Sequence, residues 1–297
     1  MTRTKIIQQL GTNLAVEPKA KCLDKQERNH YILETLQLRL NEVEEVPAYF
    51  AYPKNCNKEN KRPLVLFNHS HGGDFERGKT ELVESSAYLQ RESFVDALTQ
   101  AGYAVGSIDM WGFGERRGKP ESELFKEVLI QGQTLWGLRL FDNQQFLTYL
   151  LNRPEINAER VATIGMSMGG MMSWWLAAID ERIKVIIDIA GQVEYESLVA
   201  ERQLDRHGFY YYVPGILKEH STFDIQKLIA PRPRLSLVGR EDRLCPMSGV
   251  NRLDQQLKES YAKQQKSENW QCKIVSGGHQ ETKEMRVLWQ TFLRNHL

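Results

Sequence analysis

Short runs rich in Val, Ile and Leu alternate with helix-length amphipathic segments through most of this 297-residue chain, and that alternation limits the fold more than any other feature. The strand-like runs are PLVLFNH (63–69), YAVGSIDM (103–110), RVATIGM (160–166), KVIIDIA (184–190), RLSLVG (234–239) and QCKIVSGG (271–278). Between them lie segments near 83–101, 133–152, 169–180, 247–264 and 280–296 whose length and periodicity predict helices. Strand, helix, strand repeated in this way builds a parallel sheet with right-handed crossovers, so the predicted fold class is α/β, mostly parallel and doubly wound, with helices on both faces. Ahead of it, YILETLQLRL and VPAYFAYP read as an antiparallel pair joined by the polar turn NEVEE. The expected organisation is a polar, helix-prone extension over 1–30 and one α/β domain over 31–297. A cap inserted at about 191–232 is expected because that stretch is long for a β-to-α connection.

Composition narrows the function class. With 41% hydrophobic residues the chain can bury a full core. Its 39 Lys and Arg against 38 Asp and Glu leave no basic field for nucleic acid or an anionic membrane surface, so the expected partner is a small molecule. The opening MTRTKIIQQLGTNLAVE has no apolar signal core, and no apolar run reaches about 18 residues. Cys22, Cys56, Cys245 and Cys272 show neither CxxC nor metal spacing. A cytoplasmic protein with reduced thiols is the expectation.

The chemistry concentrates at Gly165-Met166-Ser167-Met168-Gly169, a G-x-S-x-G sequence that follows a predicted strand and opens a predicted helix. A serine at such a sharp turn has strained backbone geometry, and flanking glycines let neighbouring backbone pass without a Cβ clash. The competing reading is a serine that only caps the helix. A serine hydroxyl attacks a carbonyl only if a base takes its proton, and the base must be held by a carboxylate. His279, directly after the last strand run, is the candidate base, since His296 is penultimate. Asp242, just past the strand RLSLVG, is the candidate acid, with Glu241 its rival. Asp188 lies inside a strand run and reads as structural, while Asp205 and Asp224 fall in the cap.

A developing oxyanion needs two fixed N–H donors. Met168 at the helix start supplies one, and the loop His69-Ser70-His71-Gly72-Gly73-Asp74 is expected to supply the other from Gly73, with Gly72 as the alternative. His69 and His71 invite a metal reading, but no third ligand stands at suitable spacing. No cofactor or metal is required. Candidate pocket residues are His71, Gly72, Trp111, Met166, Tyr210, Tyr211 and Tyr212, with Phe209 and Met168 beside them.

Taken together, HSHGGD, IDMWGFGERRG, GMSMGG, IAPRPRLSLVGREDRLCP and GGHQET make residues 30–297 resemble the α/β-hydrolase superfamily, and within it bacterial esterases of the dienelactone-hydrolase-like and acetyl-xylan-esterase-like groups. The resemblance implies Ser167 as nucleophile, Asp242 as acid and His279 as base. Dienelactone hydrolases use cysteine at the nucleophile position, so serine here favours ordinary ester hydrolysis. Asp109 is expected to hold a loop. The reading is therefore a serine carboxylesterase acting on short-acyl small esters. Competing readings are a prolyl-oligopeptidase-type peptidase, a thioesterase and a non-catalytic binding protein on the same fold.

Overall fold

The computed structural model describes residues 3–11 and 15–297. Its nine strands are β1 (Lys19–Glu27), β2 (Tyr31–Arg39), β3 (Glu45–Pro53), β4 (Arg62–Asn68), β5 (Ala104–Ile108), β6 (Ile156–Met166), β7 (Val185–Ile189), β8 (Arg234–Gly239) and β9 (Trp270–Val275). They form one sheet in the order β1-β2-β3-β5-β4-β6-β7-β8-β9. The first three strands run antiparallel to their neighbours, and β5, β4, β6, β7, β8 and β9 are mutually parallel.

Period-2 geometry divides each central strand between two cores. Leu64 and Leu66 of β4 join the cluster under the helices Leu135–Leu151 and Met168–Ile179, where Trp136, Trp174 and Trp175 are buried. Val65 and Phe67 point the other way, into a cluster with Phe94 and Leu98 from the helix Phe94–Gln100 and Trp289 and Leu293 from Lys283–His296. Strands covered on both faces must be apolar throughout, which is why these runs read as continuous rather than alternating.

Two parts differ from the expectation. The extension over 1–30 is helical only at Arg3–Leu10; Lys19–Glu27 pairs with β2 as the sheet's edge strand, exposed along its whole length. Sequence periodicity does not show this strand because neither face is buried, so no apolar alternation is needed. Positions 1–2 and 12–14 of that extension lie outside the described residues. The segment 83–101 is also not one helix: short helices Glu81–Glu84 and Phe94–Gln100 flank an irregular stretch. Within 191–232 the chain forms short turns of helix, among them Tyr195–Ala200, Leu204–Arg206, Phe209–Tyr211 and Thr222–Gln226.

The order of β5, β4 and β6 positions the site. The chain leaves β4 to one side and returns on the other, and the crevice at such a reversal opens at the carboxyl ends of the strands. The loops following β4 and β6 flank it.

Candidate active site

Ser167 sits between the end of β6 and the start of the helix Met168–Ile179 with φ 57° and ψ −121°, a conformation that L-residues rarely adopt. The turn is held from both sides: Ser167 N–H donates to Ile189 O at 2.8 Å, and Met171 N–H donates to Ser167 O at 2.9 Å. Close packing requires glycine at 169, since a Cβ there would lie 1.9 Å from Asn68 O. The Asn68 side chain donates to Thr163 Oγ1 and Ser173 Oγ, each at 2.9 Å, locking the end of β4 to the strand and helix that carry the serine.

The structure brings together the three residues singled out in sequence. His279 Nε2 lies 2.7 Å from Ser167 Oγ, and His279 Nδ1 lies 2.8 Å from Asp242 Oδ2. Asp242 is buried while His279 is about a quarter exposed at its side chain (24%), so one end of the relay is dry and the other is open to a substrate. The second carboxylate oxygen of Asp242 accepts Leu244 N–H at 2.8 Å. Glu241 does not reach the histidine ring; its carboxylate accepts Gly277 N–H at 2.6 Å and ties the acid loop to the histidine loop. Asp188 is bonded to Arg234 and Ser236 inside the core, and burial pushes its carboxyl up. His296 packs on Phe292 at the last helix.

The loop after β4 is held by buried ionisable side chains, of which only Asp109 stood out in the sequence. Buried Glu81 accepts Ser70 N–H at 2.7 Å and Tyr88 O–H at 2.6 Å. Ser70 Oγ donates to Met166 O at 3.2 Å, joining this loop to the serine turn. His69 is fully buried, its Nδ1–H donating to Ser70 O and its Nε2 accepting Met110 N–H; desolvation pushes its pKa down to about 3, so the ring stays neutral. Both nitrogens are thus occupied by backbone. Asp109 holds a loop as expected, accepting Lys79 N–H at 2.7 Å, Lys79 Nζ at 2.8 Å and Glu115 N–H at 3.0 Å. Glu281, two residues past the histidine, accepts from Gln90 N–H, Arg286 and Trp289 and fixes the third loop.

Several expectations about donors and pocket walls need correction. Gly73 N–H already donates to His71 Nδ1 at 3.2 Å, and Ser70 N–H to Glu81; His71 N–H, Gly72 N–H and Met168 N–H have no protein acceptor among the described residues. Of the two glycine donors expected from the sequence, Gly73 is engaged with His71 and the alternative, Gly72, is left open. The Gly72 turn packs on the Tyr88 ring. Trp111 lines a separate cavity of about 390 Å³ with Leu124, Val128 and Leu138 that includes none of Ser167, Asp242 and His279. Met166 is core beneath the sheet. Tyr211 is fully buried against Tyr195 and Trp136, with ring centroids at 4.3 and 5.8 Å, so it packs the interior. Tyr212 donates to Leu204 O. Tyr210 is buried too, but it stacks on His71 at 5.4 Å.

Beneath that stack lies a charged node. His71 Nε2–H donates to Glu121 Oε2 at 3.1 Å, and fully buried Arg139 reaches the same oxygen at 3.5 Å. Arg139 also donates to Trp111 O at 2.7 Å and to Met168 Sδ at 3.2 Å, with its guanidinium 5.1 Å from the Phe113 and Tyr210 rings. Burial pulls the arginine down to about 10, and its charge together with the His71 bond holds the Glu121 carboxyl below its usual range. Atoms able to ligate a metal cluster at Asp242, Cys245 and His279, within 4.8 Å of one another, but two of these are already bonded to each other.

Residues 63–212 match the model of the α/β-hydrolase fold family, and the chain belongs to it. A protein of Bacillus subtilis (strain 168) described as "Putative hydrolase YtaP" is 49% identical over 272 residues, covering 92% of this chain and 90% of that protein. Among solved structures, a glucuronoyl esterase from Solibacter usitatus superposes with a TM-score of 0.71 at 15% identity, covering 98% of this chain and 91% of its own. An acetyl xylan esterase from Paenibacillus sp. R4 superposes with a TM-score of 0.64 at 15% identity, covering 99% and 92%. No helix among the described residues is long and apolar enough to cross a membrane.

Proposed function

We propose that the chain is a serine carboxylesterase that hydrolyses small short-acyl esters through an acyl-enzyme. The observation that carries this reading is the continuous relay from Ser167 Oγ through His279 to Asp242, at 2.7 and 2.8 Å. His279 takes the serine proton as Oγ attacks the ester carbonyl, and Asp242 stabilises the imidazolium and keeps the attacking-side nitrogen free. The oxyanion is received by Met168 N–H and by an unbonded N–H of the loop after β4, at His71 or at the alternative Gly72, since the Gly73 N–H is turned to the His71 ring. His279 then protonates the leaving alcohol, and water repeats the sequence on the acyl-enzyme.

Ester chemistry is supported by the solved relatives, which are esterases by description. Short acyl groups are supported by the rings around His71, where Tyr210, Phe75 and Phe113 stand at 5.4, 4.8 and 5.3 Å and crowd the oxyanion side. The four cysteines are all free thiols, which suits a reducing cytoplasm.

The test is turnover of p-nitrophenyl acetate, butyrate and octanoate by wild type and Ser167→Ala, with mass spectrometry after a fluorophosphonate. Expected are hydrolysis falling steeply from butyrate to octanoate, a loss of about 10⁴-fold or more in the variant, and an adduct on Ser167 alone. An adduct on another serine, or equal rates in the variant, would overturn the assignment.

A further inference from the structure

His207 lies between the turns Leu204–Arg206 and Phe209–Tyr211, and the mechanism above leaves it without a role. Its Nε2 bonds Leu244 O at 2.9 Å, and Leu244 N–H is the group that donates to Asp242. Arg206 beside it donates to Arg243 O at 2.8 Å. This part of the cap is therefore fastened to the two residues that follow the acid. A carbonyl oxygen only accepts, so Nε2 must carry the proton, and Nδ1 of the neutral ring is an acceptor. Nδ1 has no partner among the described residues. Desolvation pulls the ring's pKa down to about 4, and His279, Asp242 and His71 are near enough for their charges to act on it. The ring thus stays neutral near pH 7, and the next residue, Gly208, packs against Glu121, the carboxylate that holds His71, which sets this turn between the acid loop and the loop after β4.

Beside it is a recess of about 340 Å³ lined by Leu204, Asp205, His207, Gly208, Phe209 and Tyr212. Its free polar side-chain groups are acceptors: the imidazole Nδ1 and the Asp205 carboxylate, the Tyr212 hydroxyl being engaged with Leu204 O. Neither Lys nor Arg lines it. Phe209, about half exposed (49%), adds a flat apolar face. Acceptors without a cation exclude an anionic ligand and suit a neutral one that brings hydroxyl donors and presents C–H surface to a ring.

Resting on the esterase reading, the geometry points to His207 as a specificity-determining residue that accepts, at Nδ1, a hydrogen bond from a second hydroxyl on the leaving alcohol, so that esters of polyhydric alcohols are preferred. The alcohol rather than the acyl group belongs here because His207 is fastened to the acid loop, on the side where His279 protonates the leaving oxygen.

The test compares kcat/KM for glyceryl monoacetate and propyl acetate, which differ only by hydroxyls on the alcohol, with acetylcholine as a third substrate and acetate release as the readout. Wild type should favour the glyceryl ester by about 10-fold or more, the scale expected for a site acceptor left unpaired. His207→Phe should bring the ratio of the two substrates close to one, and His207→Gln, which keeps an N–H for Leu244 O and a carbonyl acceptor, should restore part of it. Because the readout is a ratio within one protein, a general loss of stability does not move it. A wild-type ratio near one, or a ratio unchanged in His207→Phe, overturns the inference. So does a preference for acetylcholine that survives the substitution, which would make the recess a cation site. Turnover of none of the three by wild type would instead count against the esterase reading, and the inference would fall with it.

Discussion

The serine turn and the loop after β4 lie side by side, joined by the Ser70 to Met166 hydrogen bond, yet they are fixed by opposite means. The turn has no ionised side chain of its own; backbone hydrogen bonds, glycine contacts and the packing of two sheet strands force Ser167 into its unusual φ and ψ. The loop is held mainly by buried ionisable side chains, through Glu81 under Ser70, Lys79 with Asp109, and Glu121 with Arg139 under His71. A steric device fails when anything is added to it, whereas an electrostatic one fails when a partner is removed and its counterpart is left buried and unpaired.

The largest effect should come from adding one methyl group to the turn. Gly169→Ala places a Cβ within 1.9 Å of a backbone oxygen of β4, which cannot swing aside as a side chain would. The expected result is loss of cooperative thermal unfolding and of soluble yield, the scale being above about 4 kcal/mol. A variant that melted like wild type would show that the turn is less tightly built than its contacts indicate.

Removing the charge from the acid keeps every heavy-atom position and tests chemistry rather than shape. Asp242→Asn should lower kcat by about 10³ to 10⁴ while leaving the melting temperature nearly unchanged, because an amide presents a donor where His279 needs an acceptor. Glu241→Gln should change kcat little, since its amide oxygen still accepts Gly277 N–H. Reversal of the two results would exchange their roles.

Glu81→Gln addresses the other region. One amide oxygen replaces two carboxylate oxygens that serve Ser70 N–H and Tyr88 O–H, so Ser70 N–H keeps its acceptor only if the Tyr88 hydroxyl turns round to accept from the amide NH2, and the hold on the loop weakens. Expected is a fall in kcat of about 10-fold with KM nearly constant, the signature of a misplaced oxyanion donor rather than of weaker substrate binding. A rise in KM alone would place Glu81 in binding instead.

The smallest effect should appear in pH dependence, and only on the loop side. His69 has its folded-state pKa pulled down to about 3 from an ordinary 6.5, so the native state rejects a proton that the unfolded chain accepts. Its contribution is fully present above pH 6.5 and is lost as pH falls toward 3, at up to about 1.4 kcal/mol per pH unit. The pH slope of the urea midpoint between 6.5 and 4.5 should be shallower in His69→Gln than in wild type, by one proton. Equal slopes would mean that other groups govern acid unfolding.

The same contrast explains what could be read in sequence. The serine turn is contiguous, so five residues between a strand run and a helix run announce it, and Asp242 and His279 follow because each stands just beyond a strand end. The loop's anchors are not contiguous. Ser70 meets Glu81 eleven positions on, Lys79 meets Asp109 thirty on, and His71 meets Glu121 fifty on. No periodicity links such pairs, and a charged residue in isolation reads as surface. The bond from Gly73 N–H to His71 Nδ1 was illegible for a related reason: glycines mark where a loop turns, but which N–H remains free depends on where every other donor is bonded. The helix Glu121–Ile130 also escaped notice, because Leu124 and Val128 are its only buried apolar residues.

The edge strand β1 has a consequence for how the molecule behaves in crowded solution. Its nine residues are exposed on both faces, and its outer row of backbone donors and acceptors has no neighbouring strand among the described residues. Such a row is a template on which a strand from another molecule could grow. Lys19, Lys21 and Lys25 along it, and the register break between Cys22 and Asp24, are features that discourage this growth by mutual repulsion and by bending the edge out of line. Lys25 also pairs with the buried Glu34 at 3.3 Å, so its role is partly internal, but Lys19 and Lys21 act less to hold the chain together than to keep neighbouring chains apart, and exchanging those two for threonines would show in light scattering rather than in melting temperature.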